Sequence, residues 1–312
     1  MSAYAIICPG QASQSAQMFA FALAHGQRDY LDSIWPASLP PWSDLLHSEA
    51  MFANRYAQPL VAAASLANWR ALQAALPPAC QHPSLVLGYS LGALSSCALG
   101  GFLRDADCLQ LAMQRAARMD AAATQAQGMQ SLRLPQQIAL PDLLPADAGW
   151  RLAILCAPLH LIVAGPLAAL PPLQAHWQAL GVSARALPVS VAAHTAWQHE
   201  AARAFAADLE QVAWQAGDAD WLCAWRVRKL MQARAVRESL AGQIEHCLDW
   251  AGALAVLQES GVRAVLEIGP GAQFSQPVDS QPAQGAQLSV RALSQFQSAA
   301  GAAAWLQKTL SQ

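Results

Sequence analysis

The feature that most constrains this chain is the pentapeptide Gly88-Tyr89-Ser90-Leu91-Gly92, set between two apolar runs. Ser84-Leu85-Val86-Leu87 ahead of it reads as a buried strand, and Leu91 to Leu99 as the opening of an Ala- and Leu-rich helix. A serine at such a strand-to-helix corner is held on a sharp turn, and small flanking residues let other groups approach it. That is the nucleophile-elbow arrangement, with the hydroxyl above the sheet and the Leu91 amide near a helix N-terminus. An ordinary glycine-bounded turn is the plainer alternative, because the pentapeptide also occurs by chance.

At 312 residues the chain can hold one large domain, or a large and a small one, with ample core. Only 12% of residues are charged and the net charge is −2, which gives no support for nucleic-acid binding. Two uncharged stretches, Pro83 to Leu103 and Leu152 to Leu173, are interrupted by glycines and prolines. They read as buried α/β elements and not as lipid-facing helices. The first charge is Arg28, so the N-terminus lacks the basic region of a signal peptide. Seven scattered cysteines without a C-x-x-C pair suit reduced thiols, not a disulfide framework or a zinc site. The expectation is a soluble cytoplasmic protein with no membrane segment and no metal.

The organisation follows from the periodicity. Tyr4 to Cys8 reads as a first buried strand, with helices around Met18 to Ala24 and Leu60 to Leu76 before the elbow. Asp105 to Ala123 is an amphipathic helix. From Gly128 the texture changes. Met129 to Leu134 is strand-like, Pro141 to Leu144 opens a short helix, and Leu152 to Cys156 pairs with Leu161 to Ala164. Leu167 to Leu180 is a helix and Val182 to Val189 a last strand. That βαββαβ order fits a small ferredoxin-like unit inserted in a larger domain. A helix over Ala201 to Ala213, further helices to about Glu259, a strand over Ala264 to Ile268 and a polar loop over Ser275 to Gln287 follow. The expected fold class is α/β: a large α/β-hydrolase-like domain (1–124 and 190–312) with a parallel sheet core, and a small ferredoxin-like domain (125–189).

A serine needs a base to become a nucleophile, and eight histidines are available. His194 lies in Pro188-Val189-Ser190-Val191-Ala192-Ala193-His194-Thr195, where the small unit returns to the large one, and such junctions line clefts. A surface or capping histidine is the alternative. His194 and His199 are five apart and do not form a metal-binding H-E-x-x-H pair. Asp105, Asp107, Asp120, Asp142 and Asp147 are candidate third members of a triad, none in a suggestive setting; a backbone or amide oxygen could orient the histidine instead.

Five ordered motifs make the chain resemble one family. Pro9-Gly10-Gln11-Ala12-Ser13-Gln14, the elbow, Arg115 with Met119, Pro188 to His194, and Leu266-Glu267-Ile268-Gly269-Pro270-Gly271 are similar to the successive signatures of malonyl-CoA:acyl-carrier-protein transacylases. Arg55-Tyr56-Ala57-Gln58-Pro59, Met119-Asp120 and Leu248-Asp249-Trp250 resemble one branch, the epsilon subunit of malonate decarboxylase, which charges that enzyme's carrier protein with malonyl. The resemblance implies that Ser90 is the acylated nucleophile and His194 its general base and acid. Backbone amides of Gln11 and Leu91 would form the oxyanion hole, Arg115 would clamp the free malonyl carboxylate, and Gln243 would help hold the site. The donor would be malonyl-CoA, the acceptor a phosphopantetheine-type thiol on an acyl carrier protein, and other malonate decarboxylase subunits would be partners. No bound cofactor is expected.

Departures from the family pattern include Ala93 where glutamate is usual and Tyr89 in place of histidine. The rivals are the fatty-acid or polyketide version of the same transferase, a serine esterase or thioesterase, and a non-catalytic subunit that docks the carrier protein. Arg104 and Arg118 read as solvated. Asn54, Gln58 and His199 are open between structural and site-lining roles. Arg226-Val227-Arg228-Lys229 through Arg234 and Arg237 concentrates five cations, read either as a solvated helix face or as a contact for CoA phosphates or an acidic carrier protein.

Overall fold

Short apolar runs bounded by glycine and proline alternate with Ala- and Leu-rich segments, and in the computed structural model they become strands and helices of two sheets. The structure describes residues 4–274 and 288–311; the expected polar loop over Ser275 to Gln287 lies outside the described residues. The first part of the chain forms β1 (Tyr4–Cys8), α1 (Ala20–Ala24), α2 (Arg28–Ile34), α3 (Trp42–Leu45), α4 (Asn54–Gln73), β2 (Leu85–Gly88), α5 (Gly92–Leu99) and α6 (Asp105–Ala122). There follow β3 (Gln127–Arg133), α7 (Leu140–Leu143), β4 (Arg151–Ala157), β5 (His160–Pro166), α8 (Leu170–Ala179) and β6 (Ser183–Ala186). The remainder is α9 (His199–Leu209), β7 (Asp220–Cys223), β8 (Arg228–Leu230), α10 (Ala233–Gly242), β9 (Leu248–Asp249), α11 (Trp250–Glu259), β10 (Ala264–Glu267), β11 (Ser289–Ala292) and α12 (Ala299–Ser311).

The first sheet runs β11-β10-β1-β2-β7-β8 and is parallel except for β8. All five residues of β1 are buried, as a strand with neighbours on both edges and helices on both faces requires. The second sheet runs β6-β3-β5-β4-β9, with β3, β4, β5 and β6 joined antiparallel. A separate cluster of Leu132, Val163, Leu173, Trp150 and Trp177 packs against it, the two indoles meeting edge-on at 6.0 Å. The expected βαββαβ order is present from β3 to β6. Its sheet gains an unforeseen strand, since β9 pairs parallel with β4 through Ile154↔Leu248 and Leu155↔Asp249.

Three expectations are corrected. The span from Ala213 to Glu259 is not all helix: β7 joins the central sheet beside β2, and β8 forms its antiparallel edge. Four and three residues are too short to show a strand period. Charge on Arg228 and Lys229 also hid β8, although charge suits an exposed edge. The basic segment is therefore a hairpin followed by α10, not a helix face, and much of it is paired: Lys229 with Asp220, Arg234 with Glu238, Arg237 with Glu210. Finally, α4 starts at Asn54, six residues before the expected Leu60, and carries Pro59 inside it. A proline there removes one helical N–H, yet its fixed φ is helical, so the helix runs on. The extension places Asn54 and Gln58 one turn apart on one face.

The corner between β2 and α5 is built by close approach. A Cβ on Gly92 would lie 2.0 Å from the Cys8 carbonyl oxygen, and one on Gly88 2.0 Å from the Ala93 nitrogen. Only glycine fits at either place, and the end of β1 is thereby pressed against the start of α5.

Candidate active site

Ser90 stands on that corner with φ +55, a left-handed conformation unusual for a residue with a side chain. Strain of this kind costs about 1–3 kcal/mol and persists only where neighbours impose it. Here the Tyr89 N–H donates to the Cys8 carbonyl (2.9 Å), the Gly92 N–H to Tyr89 (2.9 Å) and the Ala93 N–H to Ser90 (3.0 Å). The result lifts the hydroxyl out of the sheet.

His194 meets it there. Its Nε2 lies 2.8 Å from Ser90 Oγ, across 104 positions of sequence. Its own backbone is left-handed too, φ +61, and its N–H donates to the Ile244 carbonyl at 2.8 Å. The ring Nδ1 lies 2.6 Å from the Gln243 carbonyl oxygen. A carbonyl only accepts, so Nδ1 carries the proton and Nε2 presents its lone pair to the serine hydroxyl. Among the described residues no carboxylate is hydrogen-bonded to His194. Three of the five candidate acids are engaged elsewhere: Asp105 accepts from Tyr30, Asp107 pairs with Arg104 and Asp120 accepts from Asn54. Gln243 thus contributes its backbone, at the C-terminal end of α10.

Burial, and next the nearby Arg115 charge, push the imidazole down to about 3, against the opposing pull of the Gln243 carbonyl. The histidine is therefore neutral, and able to accept a proton, throughout the neutral range. A reaction that uses Nε2 as its base should therefore keep its rate as pH falls through 6.5, with its acid limb nearer 3 than 6.5. The same shift makes the unfolded state bind more protons below pH 6.5, so this group's contribution to stability is complete above 6.5 and declines on acidification. Single-turnover rates across pH check the first statement; an acid limb centred near 6.5 would contradict it.

Arg115, on α6, is 1% exposed. Its Nη1 donates to Gln58 Oε1 at 2.8 Å, while Nε and Nη2 are buried with no hydrogen-bond partner among the described residues. Burial lowers the guanidinium to about 10, so it stays charged at neutral pH. A buried cation without a carboxylate among the described residues is costly to the fold, and the two orphaned nitrogens make a fork of the shape that can take a carboxylate bidentately. The loop after β1 carries Gln11 against the elbow, where a Cβ on Gly10 would lie 2.8 Å from the Tyr89 carbonyl. Gln11 Nε2 donates to Asn54 Oδ1 at 3.0 Å. Gly10, where a Cβ would lie 3.5 Å from Ser90 Cβ, thus sets the start of this loop against the serine.

Two residues left open by the sequence prove central: Gln58 is the partner of Arg115, and Asn54 the partner of Gln58. The signal was available in Asn54-x-x-x-Gln58, an i, i+4 pair, but the proline that follows hid the helix. His199 pairs with Glu245 at 2.7 Å on the surface. Arg118 is not simply solvated; its fork holds Asp208 at 2.8 and 2.9 Å, tying α6 to α9. Tyr89 leans on Trp250 (5.0 Å, edge-on) and Phe274 (5.4 Å), its hydroxyl 3.7 Å from Cys156 Sγ.

The sequence profile described as "Acyl transferase domain" matches residues 6–295. The chain belongs to the acyl transferase domain family. This acyl transferase is 27% identical over 285 residues to the malonyl CoA-acyl carrier protein transacylase of Salmonella typhimurium, covering 87% of this chain and 90% of that one. The malonyl-CoA:acyl carrier protein transacylase of Xanthomonas oryzae superimposes with a TM-score of 0.86 at 26% identity, covering 99% of each chain. A malonyl-transacylase solved with its type II polyketide acyl-carrier protein superimposes at 0.73 and 25% identity, covering 86% of this chain and 90% of that one. The acyl transferase is thus a mixed α/β protein of two sheets like those structures. Among its described residues no helix is long and apolar enough to cross a membrane, and no three His, Cys, Asp or Glu side chains group as a metal site.

Proposed function

We propose that Ser90, His194 and Arg115 carry a ping-pong malonyl transfer, and that the chain is a malonyl-CoA:acyl-carrier-protein S-malonyltransferase. The observation that carries this reading is the buried, acid-free Arg115 beside a bonded Ser–His pair. His194 Nε2 takes the Ser90 proton as Oγ attacks the thioester carbonyl of malonyl-CoA. The backbone N–H groups of Gln11 and Leu91 receive the oxyanion, each such donor contributing about 3 kcal/mol. Collapse expels CoA thiolate, which takes the proton from His194, and leaves malonyl on Ser90. The thiol of the carrier protein's phosphopantetheine-type arm then reverses the sequence: His194 takes the thiol proton, the thiolate displaces Ser90, and the proton returns to Oγ. Arg115 pairs with the free carboxylate throughout, which an acetyl group lacks.

The transacylase names of the relatives favour a carrier protein of fatty-acid or polyketide synthesis as acceptor. The malonate decarboxylase epsilon role, with other subunits of that enzyme as partners, rests on this chain's own Arg55 to Pro59, Met119-Asp120 and Leu248 to Trp250. The antiparallel order β6-β3-β5-β4 supports a ferredoxin-like small domain over 125–189. The largely parallel first sheet supports an α/β-hydrolase-like large domain over 1–124 and 190–312.

The test is intact-protein mass spectrometry after mixing the chain separately with malonyl-CoA and acetyl-CoA, with Ser90→Ala as control. A malonyl adduct, absent in the control and scarce with acetyl-CoA, is expected. No adduct, or acetyl labelling as strong as malonyl, would sink the reading. Rapid loss of the adduct to water in place of transfer to a carrier thiol would favour a thioesterase.

A further inference from the structure

Behind Arg115 lies a chain of side-chain amides whose direction is set at its far end. Asn54 Nδ2 donates to the Asp120 carboxylate at 2.8 Å and to the Ala116 carbonyl at 3.2 Å. Both acceptors are on α6, and neither can donate. Asn54 is 5% exposed and cannot turn its amide over without setting its carbonyl against two oxygens. Its Oδ1 must therefore face the other way, and there it accepts from Gln58 Nε2 at 2.7 Å and from Gln11 Nε2 at 3.0 Å. Gln58 is 0% exposed, and with its NH2 committed to Asn54 its Oε1 is left to accept from Arg115 Nη1 at 2.8 Å.

We propose that Asp120 and Asn54 are positioning residues that fix the sense of this relay, so that Gln58 always offers oxygen to Arg115 and holds its fork open for the substrate carboxylate. Reversed, Gln58 would aim an NH2 at a guanidinium, two donors facing each other in a buried site. The same Asn54 oxygen anchors the Gln11 side chain. One residue thereby ties the carboxylate clamp on α6 to the loop whose backbone flanks Ser90. Networks of this kind act as a unit, and a carboxylate at one end is what removes their ambiguity. Asp120 touches no reacting atom; it acts through three side chains.

The inference rests on the malonyl-transfer reading, and the experiment separates the two. Single-turnover labelling of Ser90 with malonyl-CoA and with acetyl-CoA is measured for the full chain, for Asp120→Asn, and for the double variant Asp120→Asn/Asn54→Asp. Asparagine at 120 can donate as well as accept, so the sense of the relay is held by the Ala116 carbonyl alone, at 3.2 Å, and is weakened. The ratio of malonyl to acetyl labelling is then expected to fall about tenfold, the loss typical of one hydrogen bond to a charged group, mainly through the KM for malonyl-CoA. General damage to the fold would slow both donors alike and leave the ratio in place. In the double variant the acceptor-only group has moved one step along the chain. The carboxylate introduced at position 54 again receives both glutamine amides, while its other oxygen now faces the Ala116 carbonyl, so partial recovery of the lost discrimination is expected. A ratio in Asp120→Asn within twofold of the unsubstituted chain would overturn the proposal. If the unsubstituted chain shows no malonyl preference at all, it is the functional reading that fails.

Discussion

Replacing His194 by alanine is expected to slow malonylation of Ser90 by about 10³-fold, the middle of the range for loss of a general base. Among the described residues the group positioned to take the serine proton is Nε2, at 2.8 Å, and its lone pair is held by the Nδ1 contact to Gln243. Because that contact is made by a main-chain carbonyl, Gln243→Ala leaves the acceptor in place. It should cost far less than the histidine substitution, a contrast that a side-chain acid in the orienting role would not produce. The two variants are to be compared by single-turnover release of CoA from malonyl-CoA. A His194→Ala rate within tenfold of the parent would remove His194 from the reaction, and Gln243→Ala falling as far as His194→Ala would show that the side chain, not the carbonyl, carries the role.

Much of this geometry was legible in the sequence because it depends on local rules. Gly88 and Gly92 announce the elbow, since a Cβ at either would sit within 2.0 Å of main-chain atoms. The strands β1, β2 and β10 are fully buried and so read as unbroken apolar runs. The paired β4 and β5 also read as apolar runs, β5 buried along most of its length and β4 only at Ala153 and Ile154. What was not legible depends on partners far along the chain. β7 and β8 are too short to carry a period and exist because β2 offers an edge. The Gln243 carbonyl cannot be predicted from any side chain, which is why none of the five candidate aspartates stands in a suggestive setting. Asn54 and Gln58 look like any polar pair until α4 and α6 pack together, and only then does a buried arginine with one partner give them a purpose. Without the ordered motifs, Arg115 itself would have been placed on the surface, since composition and periodicity do not mark a cation for burial.

Substituting Arg115 by methionine is expected to act in opposite directions on selectivity and on stability. In the free protein the guanidinium is buried and, among the described residues, keeps one hydrogen bond and pairs with no carboxylate, so its desolvation is largely uncompensated. Methionine fills a similar volume without that cost, and buried ion groups replaced in this way are often neutral or stabilising. The melting temperature of Arg115→Met should therefore equal or exceed that of the parent. With malonyl-CoA the balance reverses, because the substrate carboxylate would then be buried without its cation. Losing one member of a buried pair costs about 3–5 kcal/mol, so malonyl labelling should fall about 10²- to 5 × 10³-fold relative to acetyl labelling. The charge of Arg115 also helps to hold His194 low. Its removal should move the acid limb of acylation to higher pH in the variant, a shift readable with acetyl-CoA alone. A variant that is both less stable and equally selective for malonyl would mean that the guanidinium is a packing element and that the carboxylate is recognised elsewhere.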